Sequence, residues 1–140
     1  DAETGISTRS QQLFAPRWSG TVNVDRTFNN RLELNLSAQW YGPMRLPVQP
    51  KDPRPEYSPL FAHVNMQVRK AFNTNFEVFA GIKNILDFVP ADPILRPEDP
   101  FNEGLEDPSN NPDGLSFDTT YIYASLQGRR CFLGLRMQLN

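Results

Sequence analysis

The chain has 140 residues, 39% of them hydrophobic, with 13 prolines and a formal net charge of -2. Its 14 Lys and Arg are scattered among 16 Asp and Glu with no basic stripe, so nucleic acid finds no electrostatic footing and is excluded as a partner. No apolar run approaches the ~20 residues of a membrane helix, a test to which membrane strands are blind because their apolar residues fall at every second position.

Proline segments the chain. Pro16 precedes the first expected strand, and the other 12 prolines lie between Pro43 and Pro59 or between Pro90 and Pro112. Proline cannot donate to a sheet ladder, so the proline-free stretches are the strand candidates. All of them read with period 2. The first, about Trp18 to Phe28, puts Trp18, Gly20, Val22, Val24 and Phe28 on one face. The second, Leu32 to Gly42, sets Leu32, Leu34, Leu36, Ala38 and Trp40 against Glu33, Asn35, Ser37, Gln39 and Tyr41. Leu60 to Phe72 sets Leu60, Ala62, Val64, Met66, Val68 and Phe72 against His63, Asn65, Gln67 and Arg69. Phe76 to about Ile85 sets Phe76, Val78, Ala80 and Ile82 against Glu77, Phe79, Gly81 and Lys83. The last spans Thr120 to Leu139, with a kink expected at Gly128 where the apolar parity changes, and ends on the row Cys131, Leu133, Leu135, Met137 and Leu139. A 3.6-residue helix would smear each of these rows around its circumference, so the chain is all-β.

Short and long connections alternate. Asn29-Asn30-Arg31 and Asn73-Thr74-Asn75 are three-residue hairpin loops, matched by the odd spacing needed to bring Phe28 against Leu32 and Phe72 against Phe76 on one face. Such loops want one left-handed residue, which asparagine tolerates. This register is expected to bring Arg69 opposite Glu77 as an ion pair on the polar face. The other connections run over 43–59 and about 86–119. Trp18, Trp40 and Tyr41 stand at the long-loop ends and Phe28, Phe72 and Phe76 at the short-turn ends, about ten residues apart, the ~9–11 of a tilted membrane strand. Arg26 and Lys70 interrupt the apolar face only two residues from a short-turn aromatic, where a long side chain can snorkel. These features point to an antiparallel transmembrane β-barrel segment with periplasmic turns and extracellular loops. Five to six strands do not close a barrel, since bacterial ones begin at about 8, so the expectation is the C-terminal part of a larger barrel. A soluble β-sandwich would show the same alternation and is the competing fold.

Several stretches resemble TonB-dependent receptors of the bacterial outer membrane. They are Trp40-Tyr-Gly-Pro-Met-Arg-Leu-Pro47, Arg54-Pro-Glu-Tyr-Ser-Pro59, Phe79-Ala-Gly-Ile-Lys-Asn-Ile-Leu-Asp87, Asp118-Thr-Thr-Tyr-Ile-Tyr123 and Gly128-Arg-Arg-Cys-Phe-Leu-Gly-Leu-Arg136. The resemblance covers roughly residues 14–140. It implies a barrel of about 22 strands around an N-terminal plug. Import of a scarce nutrient (siderophore-iron, haem, cobalamin or glycan) would be energised by the TonB complex through the plug. Neither the plug nor the TonB-binding motif is among these residues. The implied partners are the rest of the same barrel, its plug, the TonB complex, outer-membrane lipid and, as a candidate, a surface lipoprotein. One departure stands at the end, where Leu139-Asn140 replaces the family's terminal aromatic. Leu133, Leu135, Met137 and Leu139 are then the apolar row of the assembly strand. A passive porin-type barrel is the alternative within the membrane.

No enzyme constellation and no cofactor motif emerges. The single histidine, His63, has no nucleophile elbow or other triad partner to work with. Its polar parity makes it a lumen residue, a ligand contact or a plain lining group, together with Asn65, Gln67, Arg69, Glu77 and Lys83. Asp1-Ala-Glu-Thr-Gly-Ile6 lacks a basic and an apolar signal region, which predicts a removed signal or a longer protein. Cys131 is alone, so it forms no disulfide framework and reads as a small apolar residue on the lipid side. Asp99, Asn102, Glu103, Asp107 and Asp113 supply hard oxygen donors in one loop, weak calcium candidates without EF-hand spacing; a solvated loop that contacts substrate is the other reading.

Overall fold

A computed structural model describes residues 11–139. It contains five strands: β1 (Ser19–Phe28), β2 (Leu32–Tyr41), β3 (Phe61–Ala71), β4 (Phe76–Lys83) and β5 (Arg130–Met137). They form one open antiparallel sheet in chain order, and no helix occurs among the described residues. The period-2 pattern therefore does what a strand pattern must: it collects every apolar row on one side.

Register makes this concrete. Val24 pairs with Leu36, Leu36 with Met66, Met66 with Ile82 and Ile82 with Cys131, a single apolar row crossing all five strands. One residue along, Asp25, Asn35, Gln67, Gly81 and Phe132 form the matching row on the opposite face. The apolar face has no cover among the described residues. Val22, Val24 and Leu36 are 47%, 51% and 37% exposed, and Leu133, Leu135 and Met137 are 74%, 67% and 66% exposed. The buried core lies elsewhere, where Met44, Leu46, Phe61 and Tyr121 gather with Tyr41, Phe88, Tyr123 and Ala124 between the long connections and one end of the sheet.

Close packing across the sheet depends on four aromatic–glycine pairs. Trp40 lies over Gly20 and Trp18 over Gly42 on the apolar face; Phe132 lies over Gly81 and Phe79 over Gly134 on the polar face. A Cβ on Gly42 would stand 2.8 Å from the Trp18 indole, and one on Gly81 would stand 2.6 Å from the Met66 carbonyl oxygen. Each ring thus covers a backbone position, in a strand or just beyond its end, that has no side chain of its own.

Four expectations need correction. The last strand begins at Arg130, not Thr120; residues 120–129 belong to the second long connection, where Tyr121 is buried in the core. The parity change at Gly128 is accordingly a strand entry and not a kink within a strand. Arg69 faces Phe79, not Glu77, because a Phe72–Phe76 closure places Ala71 opposite Glu77. Arg69 still reaches Glu77 diagonally, with Nη1–Oε2 at 3.1 Å. The left-handed residue of the first turn is Arg31, with φ 59°, and none of Asn73, Thr74 and Asn75 has positive φ. Instead the Asn73 side chain accepts from the Asn75 N–H at 2.8 Å, an Asx turn that substitutes for the left-handed residue. Finally, Tyr41 stands on the polar face opposite Ser19 and stacks on Phe61 at 5.0 Å, so it is not part of an apolar-face aromatic girdle. Trp18, Phe28 and Phe72 are exposed, while Trp40 and Phe76 are half-buried.

Candidate functional site

The two long connections meet over the polar side of the sheet end. The first folds back on itself, with Leu46 N–H donating to the Glu56 carbonyl at 2.8 Å and Ser58 N–H to the Met44 carbonyl at 2.9 Å. The Ser58 hydroxyl in turn accepts from the Met44 N–H at 3.0 Å, so this proline-rich stretch keeps its buried backbone groups satisfied without a ladder.

At the junction sits Arg54. Its side chain is 4% exposed, and its Nη2 lies 2.7 Å from Asp52 Oδ2 and 3.0 Å from Asp118 Oδ2. Its guanidinium packs over the Tyr121 ring at 4.2 Å, and the Tyr121 hydroxyl donates to the Pro55 carbonyl at 2.7 Å. One cation therefore ties residues 52–55 to residues 118–121. Burial pushes the Asp52 carboxyl up, but its hydrogen bonds and charge pairing with Arg54 outweigh this and hold it below the usual carboxylate range. Asp118 behaves alike: burial raises it, and the Thr120 and Arg54 hydrogen bonds bring it lower. Burial raises the phenols of Tyr121 and Tyr123.

A second clamp joins β4 to β5. Asn84 is buried with φ 52°; its Oδ1 accepts from the Phe88 N–H at 3.1 Å while its Nδ2 donates to the Phe88 carbonyl at 2.8 Å and the Gln127 carbonyl at 3.3 Å. Asp87 Oδ1 accepts from the Arg129 N–H at 2.5 Å. Lys83-Asn-Ile-Leu-Asp87 is thus a structural motif that aims the long connection and fixes where β5 starts.

The polar-face residues expected from the sequence divide into three groups. Arg69 bridges Glu33 and Glu77, and Glu77 Oε1 lies 2.7 Å from Arg136 Nη1, giving a charge ladder across β2 to β5 near the short turns. Asn65 joins the clamp, accepting from the Asn84 N–H at 3.0 Å, while Gln67 is exposed and Lys83 lies over the Phe132 ring at 5.8 Å. His63 is half-buried at the other end, edge-on to Phe61 at 5.6 Å and Phe88 at 6.1 Å.

Asp99, Asn102, Glu103, Asp107 and Asp113 do not converge. Asp99 accepts from the Glu103 and Gly104 N–H groups at 2.8 and 3.0 Å and from Arg96 at 3.0 Å. Asn102 Oδ1 accepts from the Phe117 N–H at 2.6 Å, and Asp113 faces Lys51 at 3.6 Å. The Ser109 hydroxyl and N–H on the Asp107 carboxylate hold it below its ordinary pKa. The side-chain oxygens of Asp99, Asn102 and Asp107 are spent on the connection's own backbone and side chains, that of Asp113 on Lys51, and no group of three His, Cys, Asp or Glu suited to a metal occurs among the described residues.

Between the connections lies a cavity of about 670 Å³, walled by Tyr57, Phe88, Tyr121 and Tyr123 with prolines between them and Asp92 at its edge. That volume falls within the ~300–1,000 Å³ of small-molecule sites. Sequence reading passed over it. Arg54 is one charge in a proline-rich loop, and Tyr121 and Tyr123 also satisfy a strand pattern. Comparison with protein-family models, curated proteins and solved structures found no match.

Proposed function

We propose that this chain is a wall segment of a transmembrane β-barrel in the bacterial outer membrane, belonging to a TonB-dependent importer of a scarce nutrient. The observation that carries the membrane reading is the five-strand apolar face left uncovered while charge, glutamine, asparagine and the folded connections occupy the other side. In water an uncovered apolar face that crosses five strands would need a cover, because soluble monomers keep contiguous apolar patches small. In lipid it is matched, with Arg26 and Lys70 near the short turns where charge costs little.

An open sheet in hydrocarbon would leave the outer edges of β1 and β5 unpaired, so further strands of the same barrel must complete it. The importer reading adds to this the motif resemblance. The plug would pack on the polar face, the TonB complex would act through the plug, and the long connections would meet substrate or a surface lipoprotein. The chain's own contribution is a rigid wall and a preorganised pair of loops. Full-length protein in the outer-membrane fraction, migrating faster in gels before boiling than after, is the expected result. A soluble, heat-insensitive protein would overturn the membrane reading, since a second sheet would then cover the apolar face. Uptake that persists when TonB is deleted would favour a passive porin-type barrel.

A further inference from the structure

We propose that the foot of the apolar face, between Arg26 and Lys70, is a site for the phosphate of an anionic phospholipid in the periplasm-facing leaflet. The inference rests on the membrane reading and adds a specific lipid to it. The distribution of charge leads there. Across β1 to β5 the apolar rows carry only two charged side chains among the described residues, Arg26 and Lys70, and no Asp or Glu. Both stand at the short-turn end, each two residues before an aromatic, Phe28 or Phe72. The long-loop end of the same face holds Trp18, Gly20 and Trp40 and no charge.

Register brings the two cations together. Arg26 pairs with Leu34 and Lys70 with Leu32, so they flank neighbouring leucines of β2 from either side. Two strand spacings of ~4.8 Å and two steps of ~3.3 Å separate their Cα atoms by about 12 Å, a gap that two long side chains can close onto one phosphate. Neither has a carboxylate partner. Arg26 makes no side-chain hydrogen bond or ion pair among the described residues, and its guanidinium lies over the Phe28 ring at 5.8 Å. The Lys70 ammonium donates to the Asn30 carbonyl and keeps further donors. Beside them a groove of about 320 Å³ is lined by Arg26, Phe28, Asn29, Asn30 and Leu32.

The same features select the headgroup and its source. A phosphate diester meets two cations that lack carboxylates, and accepts charge-assisted hydrogen bonds from both. A zwitterionic headgroup adds an ammonium, and this face offers no carboxylate to receive it. Inorganic phosphate would satisfy the cations but leave the Leu34–Val68 pair beside them bare. A phospholipid covers that pair, its acyl chains running along the face toward Leu36 and Met66.

The test uses the purified full-length protein in detergent, shown to be folded by heat-modifiable migration, with bound lipid read by native mass spectrometry. Phosphatidylglycerol, phosphatidylethanolamine and phosphatidylcholine with matched acyl chains are titrated in, and inorganic phosphate is run as a competitor. We expect phosphatidylglycerol to bind roughly 10–25-fold more tightly than either zwitterionic lipid, at about fivefold per cation, the preference shrinking as salt rises. Arg26→Gln and Lys70→Gln should each remove about fivefold, and the double variant nearly all of the preference. Arg26→Lys with Lys70→Arg keeps both charges and should keep most of it. Lys51→Gln with Arg130→Gln removes the same charge at exposed positions elsewhere and should leave it unchanged. A folded, heat-modifiable protein with no headgroup preference, or with one that survives the double variant, overturns this site and leaves the barrel reading intact. Displacement of the lipid by millimolar inorganic phosphate overturns the lipid as the source of the phosphate. A protein that is not heat-modifiable overturns the barrel reading itself, and this inference with it.

Discussion

A single pair of substitutions separates lipid from water as the solvent of the apolar face. Leu36 lies in the middle row of the sheet, four residues from the Leu32–Phe28 pair and four from the Trp40–Gly20 pair. From Leu32 to Trp40 is eight steps, about 26 Å at ~3.3 Å per residue, and in the barrel proposed above a strand tilted by ~40° would turn this into a height of roughly 20 Å. On that reading Leu36 would lie about 10 Å from either boundary, near the depth at which an arginine costs ~2–4 kcal/mol. Its neighbour Asn35 points to the other face, where its Nδ2 donates to Asp25 Oδ1 at 2.6 Å. Asn35→Arg would keep a partner in Asp25 and should cost under about 0.5 kcal/mol.

The assay is reversible urea unfolding of the full-length protein in phospholipid bilayers, with gel migration as the folded-state readout. In water the ranking has no basis, because a residue already 37% exposed accepts arginine within about 0.5 kcal/mol. Leu36→Arg costing less than that, or Asn35→Arg costing as much as Leu36→Arg, would refute the assignment of the faces. Arg26→Leu supplies an internal scale. Near the short turn it should change stability by no more than ~1 kcal/mol.

Other substitutions probe the packing and the loops. Gly134→Ala should destabilise by roughly 1–3 kcal/mol in the same unfolding assay, and Phe79→Ala should relieve most of that because the obstruction is a side chain. Gly81→Ala should resist rescue by Phe132→Ala, since the Met66 carbonyl is backbone and stays in place. Arg54→Met strands Asp52 and Asp118 in a buried site and should cost about 3–5 kcal/mol of local stability, read as faster proteolysis of residues 43–59 in the folded protein. The two carboxyls have folded pKa values below their ordinary 3.8, so their contribution is complete above that pH and fades as pH falls below it through the depressed values. Wild-type loops should therefore become protease-sensitive on acidification below about pH 4, and Arg54→Met should flatten that dependence. Asn84→Ala removes three side-chain hydrogen bonds and puts alanine at φ 52°; a loss of ~2–4 kcal/mol is expected, with Asn84→Gly milder because the backbone is then unstrained.

The strands were readable because two independent physical signals coincide in them. Alternation marks the faces, and proline marks where a ladder stops; β1 to β4 consequently begin and end within two residues of their expected limits. The loops carry neither signal. Tyr121-Ile-Tyr123 alternates as well as any strand does, yet Tyr121 is drawn into the core by Arg54 and by the Pro55 carbonyl, 66 residues earlier in the chain. Charge could have hinted at this, since Asp52 and Arg54 share a stretch whose prolines already restrict the backbone. What no local pattern contains is the third member, Asp118, 64 residues away. The motif at residues 83–87 shows the same limit from the other side. Its residue types pointed to a family, but its physical role depends on Asn84 reaching Gln127 and Asp87 reaching Arg129, partners 43 and 42 residues distant. A short polar motif with two left-handed residues, Asn84 at φ 52° and Asp87 at φ 57°, is costly in isolation. It persists because those distant hydrogen bonds hold it, and in holding it they decide where β5 begins and which face Leu133 and Leu135 present.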